Sequence, residues 1–297
     1  MQNVLVNING RIDVASQAKI EVFDRGFLYG DSLYEVARTH RGVILHLDEH
    51  LDRLRRSALL GQMTLGQSLE TYANEITRTF EQFKTLPGQA ITPAYLRLIV
   101  TRGIGRIGFG LNCLTSPTQF VVIAQPLEPP TEAQTAHGLK LKIVDRLRND
   151  ARALDPAMKS GNYLNSLLGY LEGTAEGFDD ALLCNADGHL TEGTTFNLFY
   201  ARNGKIATPP LDIGVLEGIT RAETIRLARE NGIETREVRF PRERLYEADE
   251  VFITSTIKEV FPVTQVDDIK INHGKPGRLT MRLRQLYQEH CLPMDRL

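Results

Sequence analysis

Four short segments carry residue types that can do chemistry together. Lys159 lies in Met158-Lys159-Ser160-Gly161-Asn162-Tyr163-Leu164-Asn165-Ser166, where a small, glycine-containing step leads into an apolar helix. An isolated lysine is ordinarily a solvated surface charge. One held in apolar surroundings gives up its proton more readily and can form a Schiff base. Thr191-Glu192-Gly193 follows a strand-like run and an Asp187-Gly188 turn. Its carboxylate is either a charge on a hairpin rim or a group aimed inward, where it stabilises a positive ring nitrogen. In Gly218-Ile219-Thr220-Arg221-Ala222-Glu223 the Thr220/Glu223 spacing predicts a capping box and a helix start. A glycine there lets the backbone approach a ligand closely, and free amides plus the helix dipole seat a phosphate. The alternative is only a well-capped helix. Thr254-Ser255-Thr256 ends a strand with three hydroxyls, which donate to phosphate oxygens or satisfy a turn.

These segments must be positioned by a fold of ordinary globular composition. The chain has 297 residues, 42% hydrophobic and 24% charged, which suits one large domain or two smaller ones. Lys plus Arg is 35 against 37 Asp plus Glu, so no basic excess favours nucleic acid as a partner. Residues 1–10 show no basic stretch followed by an apolar run, so no signal peptide is expected. No apolar run approaches the roughly 20 residues that span a bilayer. The three cysteines, Cys113, Cys184 and Cys291, lie far apart without zinc-ligand spacing, which fits a reducing cytoplasm and no metal.

Periodicity and turn residues outline an α+β chain without repeats. Asn9-Gly10 predicts a tight hairpin turn, and Arg41-Gly42 a second one between 34–39 and 43–47. A helix is expected from Asp48 as N-cap, with Leu47, Leu51, Leu54 and Ala58 on one face, and another over 68–83. The runs 95–101 and 120–124 read as strands. Pro126, Pro129 and Pro130 then mark 125–138 as a linker, since prolines join neither helix interiors nor central strands. Beyond it, strands are expected at 140–144, 181–185, 234–239 and 250–254, helices at 163–176 and 221–230, and a hairpin at Asn203-Gly204. The expected domains are 1–124, a small α/β unit, and 139–297, a larger one.

Two motifs are decoys. Gly103-Ile104-Gly105-Arg106-Ile107-Gly108 spells a dinucleotide fingerprint, but Phe109 to Pro117 cannot form the helix that the pyrophosphate requires. It reads instead as a glycine-rich loop between strands. His46-Leu47-Asp48-Glu49-His50 spells an inverted zinc-peptidase motif, but a helix starting at Asp48 leaves His46 outside it.

Taken in order, the segments resemble those of the fold-type IV pyridoxal-phosphate aminotransferases, which include branched-chain and D-amino-acid transaminases and aminodeoxychorismate lyase. The resemblance runs from Phe23-Asp24-Arg25-Gly26-Phe27-Leu28-Tyr29-Gly30-Asp31 to Gly277. It implies a two-domain architecture whose larger domain holds a mixed sheet or barrel. It further implies a homodimer or higher homo-oligomer, and pyridoxal 5'-phosphate as cofactor. Lys159 would be the Schiff-base lysine, Glu192 the partner of the pyridine nitrogen, and Tyr163 the partner of the phenolate. Leu216, Gly218, Ile219 and Thr220 would form one phosphate-binding turn, and Ser255 and Thr256 a second. His50-Leu51-Asp52-Arg53-Leu54 resembles the helix whose arginine grips the phosphate. Helical periodicity does not choose among Arg53, Arg55 and Arg56; the family pattern chooses Arg53.

The substrate side is mixed. Tyr95-Leu96-Arg97 is similar to branched-chain transaminases, where the tyrosine serves the α-carboxylate and the arginine the second carboxylate of glutamate. Tyr29 also matches a substrate position, and Tyr34 and Ile257 are assigned to the same side. Tyr34-Glu35-Val36 looks more like the D-amino-acid enzymes, whose Arg-x-His clamp here reads Arg106-Ile107-Gly108, without the histidine. The expectation is an L-branched-chain transaminase working with a 2-oxo acid such as 2-oxoglutarate by a ping-pong mechanism. A D-amino-acid or (R)-amine transaminase, and then a lyase, are the alternatives. A non-catalytic binding protein is disfavoured by the intact Lys159, Glu192 and Thr220.

Overall fold

The computed structural model describes residues 3–292. The chain divides into two compact units, Met1–Glu128 with Met158–Asn162, and Pro129–Ala157 with Tyr163–Leu297. The outermost residues of the expected domains, 1–2 and 293–297, lie outside the described ones. Segment 158–162, expected in the second domain, clusters with the first. Backbone pairing is the reason: Tyr34 N donates to Lys159 O at 3.0 Å and Gly161 N to Ser32 O at 2.8 Å.

The first unit is an antiparallel six-stranded sheet. Its order is Arg11–Val14, Leu5–Ile8, Gln119–Pro126, Ala94–Thr101, Ser32–His40, Val43–Ile44. Asn9 and Gly10 both take positive φ, as the first hairpin turn requires. Helices Leu47–Leu60 and Leu69–Lys84 cover one face, packing Leu51, Leu54, Phe80 and Phe83 on Leu33, Ala37, Leu96 and Leu98. Asp48 is not the N-cap of the first helix. His46 holds that place in a left-handed conformation, and Asp48 and Glu49 sit in the first turn, where the dipole favours negative charge. The expected linker is also shorter. Gln125 and Pro126 finish a strand opposite Tyr95 and Ala94, a strand-end position where proline's missing amide does little harm. Thr131 and Gln134 then form a capping box that opens helix Glu132–His137. The irregular stretch is 127–131.

The second unit is built on a closed ring of six strands. Asn197–Arg202 pairs Glu250–Ser255, followed by Glu259–Val266, Leu139–Leu147, Asp180–Cys184 and Leu190–Gly193; Asn197 then pairs Glu192 and shuts the ring. Leu139–Leu147 is parallel to both its neighbours, so the barrel is mixed. Leu198, Val251, Ile253 and Leu141 belong to one apolar cluster. The alternating residues Phe199, Ala201 and Phe252 pack in another with helices Ile219–Glu230 and Arg278–Cys291. Register shifts between the Leu182–Gly193 and Cys184–Leu190 pairings. Such a bulge re-aims the side chains next to it, here Thr191 and Glu192.

Candidate functional site

In the first unit, strand alternation sorts the candidate residues onto two faces. Val36 is opposite Arg97, Arg38 opposite Tyr95 and Tyr34 opposite Ile99, so Tyr34, Tyr95 and Arg97 share the face away from the helices. There Lys159 Nζ donates to Tyr34 Oη at 3.0 Å and lies 4.4 Å from the ring centroid. Arg97 stacks on the same ring, its Cζ 4.2 Å from the centroid. Arg97 Nε is buried without a hydrogen-bond partner, so this face offers an unmatched donor to an anion. Lys159 is held from behind by its amide, which donates to Ser57 Oγ at 3.1 Å.

The opposite face carries Glu35, which sequence reading missed. Arg53 grips it with two bonds, Nε to Oε1 at 2.8 Å and Nη2 to Oε2 at 2.6 Å. His50 Nδ1 lies 2.8 Å from Oε2; a carboxylate only accepts, so Nδ1 carries the proton. Burial alone would raise the Glu35 pKa, but Arg53 and then His50 outweigh it and bring it to about 2. Burial lowers the His50 pKa, and the nearby positive charges of Arg53 and Lys159 add to that against the raising effect of Glu35. Arg53 is buried while Arg55 and Arg56 are exposed, so the family choice is also the inward-facing arginine. The signal for Glu35 was its parity: in strand Ser32–His40 it alternates with Tyr34 and falls on the helix side.

The Gly103–Gly108 motif runs into a single 3-10 turn, Leu111–Cys113, and a loop. Tyr29 Oη accepts from Gly108 N at 3.1 Å, and Arg25 Nη1 donates to Gly108 O at 2.9 Å. Tyr29 therefore meets this loop, while Arg106 is exposed on it. His46 precedes its helix and His50 serves Glu35, so the two histidines do not share a helical face.

In the second unit Glu192 is buried and takes four N–H donors. Arg148 Nε and Nη2 reach Oε1 at 3.1 and 2.7 Å, and Asn197 Nδ2 and Leu216 N reach Oε2 at 3.1 Å each. Arg148 Nη1 also meets Asn165 Oδ1 at 3.4 Å, just after Tyr163, which occupies the N-cap position of helix Leu164–Ala175. The expected capping box does not form. The helix begins earlier than its spacing predicts, at Ile219, with Gly218 as N-cap and no side-chain cap, and Thr220 lies buried inside it. Its first amides are left for another acceptor. Ser255 Oγ accepts from Lys258 N at 3.0 Å, the turn role, with Thr256 and Ile257 in the same turn. Thr254 Oγ1 is buried without a partner. An uncapped helix start, an orphaned buried hydroxyl and a fully held carboxylate in one unit fit a group with a phosphate and a ring nitrogen. The amine of Lys159, in the first unit, is of the type that condenses with an aldehyde.

The family pattern described as class IV amino-transferase matches residues 32–266. The branched-chain-amino-acid aminotransferase of Salmonella typhimurium (strain LT2) is 33% identical, covering 94% of this chain and 90% of that one. The D-alanine aminotransferase of Bacillus licheniformis is also 33% identical, over 97% of each chain. Among solved structures, a T.th. branched-chain amino acid aminotransferase complexed with N-(5'-phosphopyridoxyl)-L-glutamate superposes with a TM-score of 0.85. It is 33% identical and covers 96% of this chain and 93% of that one. The two-domain α+β architecture with a mixed barrel in the larger unit is that expected from the resemblance.

The Glu35 cluster makes stability depend on pH in a defined window. Its folded pKa, about 2, lies below the ordinary 4.5. Its contribution, on the order of 3 kcal/mol, is therefore present above pH 4.5 and lost as pH falls towards 2. Glu35→Gln should melt at lower temperature at neutral pH, because the buried Arg53 guanidinium loses the carboxylate charge that balances it. It should also lose less further stability than the parent over that acid window. Parallel melting-temperature profiles for the two proteins would show that another group is titrating.

Proposed function

From the premise that this chain belongs to the class IV aminotransferases, we propose that it moves amino groups between L-branched-chain amino acids and a 2-oxo acid. The family is pyridoxal 5'-phosphate-dependent, so the enzyme is an aminotransferase with that cofactor. When bound, the cofactor supplies the electron sink that makes a substrate α-proton removable. In this reading Lys159 holds the cofactor aldehyde. Its Nζ would also take up and give back the substrate α-proton, as a positioned general base and acid. Glu192 would hold the ring nitrogen and favour its proton, and Tyr163 would hold the phenolate. Leu216, Gly218, Ile219 and Thr220, with Ser255, Thr256 and Arg53, serve the phosphate.

The observation that carries the substrate side is the Tyr34–Arg97–Lys159 cluster. A half-buried guanidinium whose buried Nε has no hydrogen-bond partner lies on the same tyrosine as the lysine amine. Tyr95 on that face serves the α-carboxylate and Arg97 the second carboxylate of glutamate or 2-oxoglutarate. Tyr29, Tyr34, Arg106 and Ile257 complete the substrate side. The branched-chain relatives support the aliphatic substrate. A D-amino-acid transaminase is the second reading, supported by the D-alanine aminotransferase relative and by Tyr34-Glu35-Val36.

We further propose a cytoplasmic homodimer. Described helices include none long and apolar enough to cross a membrane. Phe27, Ile107, Phe109 and Leu111 are 63%, 74%, 82% and 66% exposed, an apolar group that water alone does not favour leaving open. A second copy is the occupant most consistent with a symmetric two-fold interface.

Lys159→Ala should abolish transamination and remove the visible band of the lysine-bound cofactor, read by absorbance; retained turnover refutes the assignment. With L-leucine, D-alanine and (R)-1-phenylethylamine offered against 2-oxoglutarate, L-leucine should react fastest, and faster D-alanine would select the second reading. Arg97→Ala should lower kcat/KM for glutamate about tenfold or more beyond its effect on L-leucine, since only the dicarboxylate loses a charge-assisted bond. Equal losses would remove Arg97 from that role. Sedimentation should give twice the chain mass, and a fully active monomer would overturn the dimer.

A further inference from the structure

We propose that Asn197 is a positioning residue that fixes the distance between the ring-nitrogen carboxylate, Glu192, and the open start of helix Ile219–Glu230. This rests on the reading of Glu192 and of that helix start given above. Three observations carry it. First, Asn197 is paired with Glu192 on one side and Thr254 on the other, so three buried polar residues stand abreast across three strands. Second, Asn197 Nδ2 donates both to Glu192 Oε2 at 3.1 Å and to Leu216 O at 2.9 Å. Leu216 N donates to the same Glu192 oxygen at 3.1 Å. The carbonyl and amide of one residue are thereby tied to the carboxylate, one through Asn197 and one directly. Three residues later the helix begins.

Third, Gly218 has a backbone conformation open to any residue, φ −72° and ψ 133°. Its glycine is required by space instead: a Cβ there would run into Asn197 Oδ1. Asn197 thus touches the turn at both ends of its side-chain amide. Both contacts of Nδ2 are acceptors, which settles the orientation of that amide. A carboxylate and an amide start held at fixed separation suit a rigid ligand that presents a cation at one end and an anion at the other. Preorganisation of this kind raises affinity without adding a contact to the ligand.

The test compares apo-enzyme affinity for pyridoxal 5'-phosphate by equilibrium dialysis with the pH titration of the bound cofactor's visible band. Asn197→Ala should bind the cofactor roughly tenfold more weakly, the usual scale for a lost buried donor, and shift the titration midpoint. Asn197→Asp keeps the shape but faces Glu192 and Leu216 O with an acceptor, so it should be worse than alanine. Gly218→Ala should weaken binding as well, and the Gly218→Ala/Asn197→Ala double variant should bind better than Gly218→Ala, because the colliding oxygen is gone. The aspartate variant decides the matter if the alanine variant fails to fold. An Asn197→Asp protein that binds and titrates like the parent shows a space-filling residue and overturns the proposal. So does a double variant whose loss equals the product of the single losses. A Glu192→Gln protein that titrates like the parent would instead bring down the ring-nitrogen reading, and this proposal with it.

Discussion

The arrangement of the second unit depends on one buried carboxylate. Glu192 cannot be removed from water as an anion unless its oxygens are matched, and four N–H groups match them. Those donors come from Arg148 after the strand Leu139–Leu147, from Asn197 in the strand that closes the barrel, and from Leu216 before a helix. Satisfying one charge therefore joins three segments far apart in sequence. The barrel closes at the same place, since the Asn197–Glu192 pairing shuts the ring. A group that structure holds so firmly is also fit to hold a cationic ring nitrogen without rearranging, which is the condition for electrostatic stabilisation to count.

The first unit solves a similar problem with strand parity. In Ser32–His40 one residue step separates Glu35, on the helix side, from Tyr34, on the other. Glu35 neutralises Arg53 and fixes His50 beneath the sheet. Tyr34 gathers Lys159 and Arg97 above it. Both cations lie against one ring, and aromatic stacking of this kind holds a guanidinium flat while leaving its edge donors for another partner. A one-residue slip in register would exchange the two faces, so the antiparallel pairing with Ala94–Thr101 decides which charged groups each face gathers.

Much was legible because it is local. Asn9-Gly10 announces positive φ, Leu51, Leu54 and Ala58 announce a buried helical face, and the residues after Gly108 announce that no helix follows. The Lys159, Glu192 and Gly218 segments were recognisable as segments, in their family order. Less legible were the ends of elements. Thr220 has the spacing of a cap yet lies inside its helix, since propensity at a terminus yields to the packing of the whole helix. Pro126 has the character of a breaker yet ends a strand, where its missing amide does little harm.

The sequence by itself determined which residue types were present and which runs were helix, strand or turn, because φ/ψ preference and hydrophobic period act within a few residues. Only the tertiary structure decided what those residues meet. It placed 158–162 with the first unit through backbone bonds to Ser32 and Tyr34, which lie far away along the chain. It re-aimed Glu192 by a bulge, paired Arg53 with Glu35 and not with solvent, and put Asn197 against Gly218. Each of these is a contact between segments distant in the chain. Such contacts are selected by the balance of burial and charge satisfaction over the whole fold, for which no local pattern carries a signal.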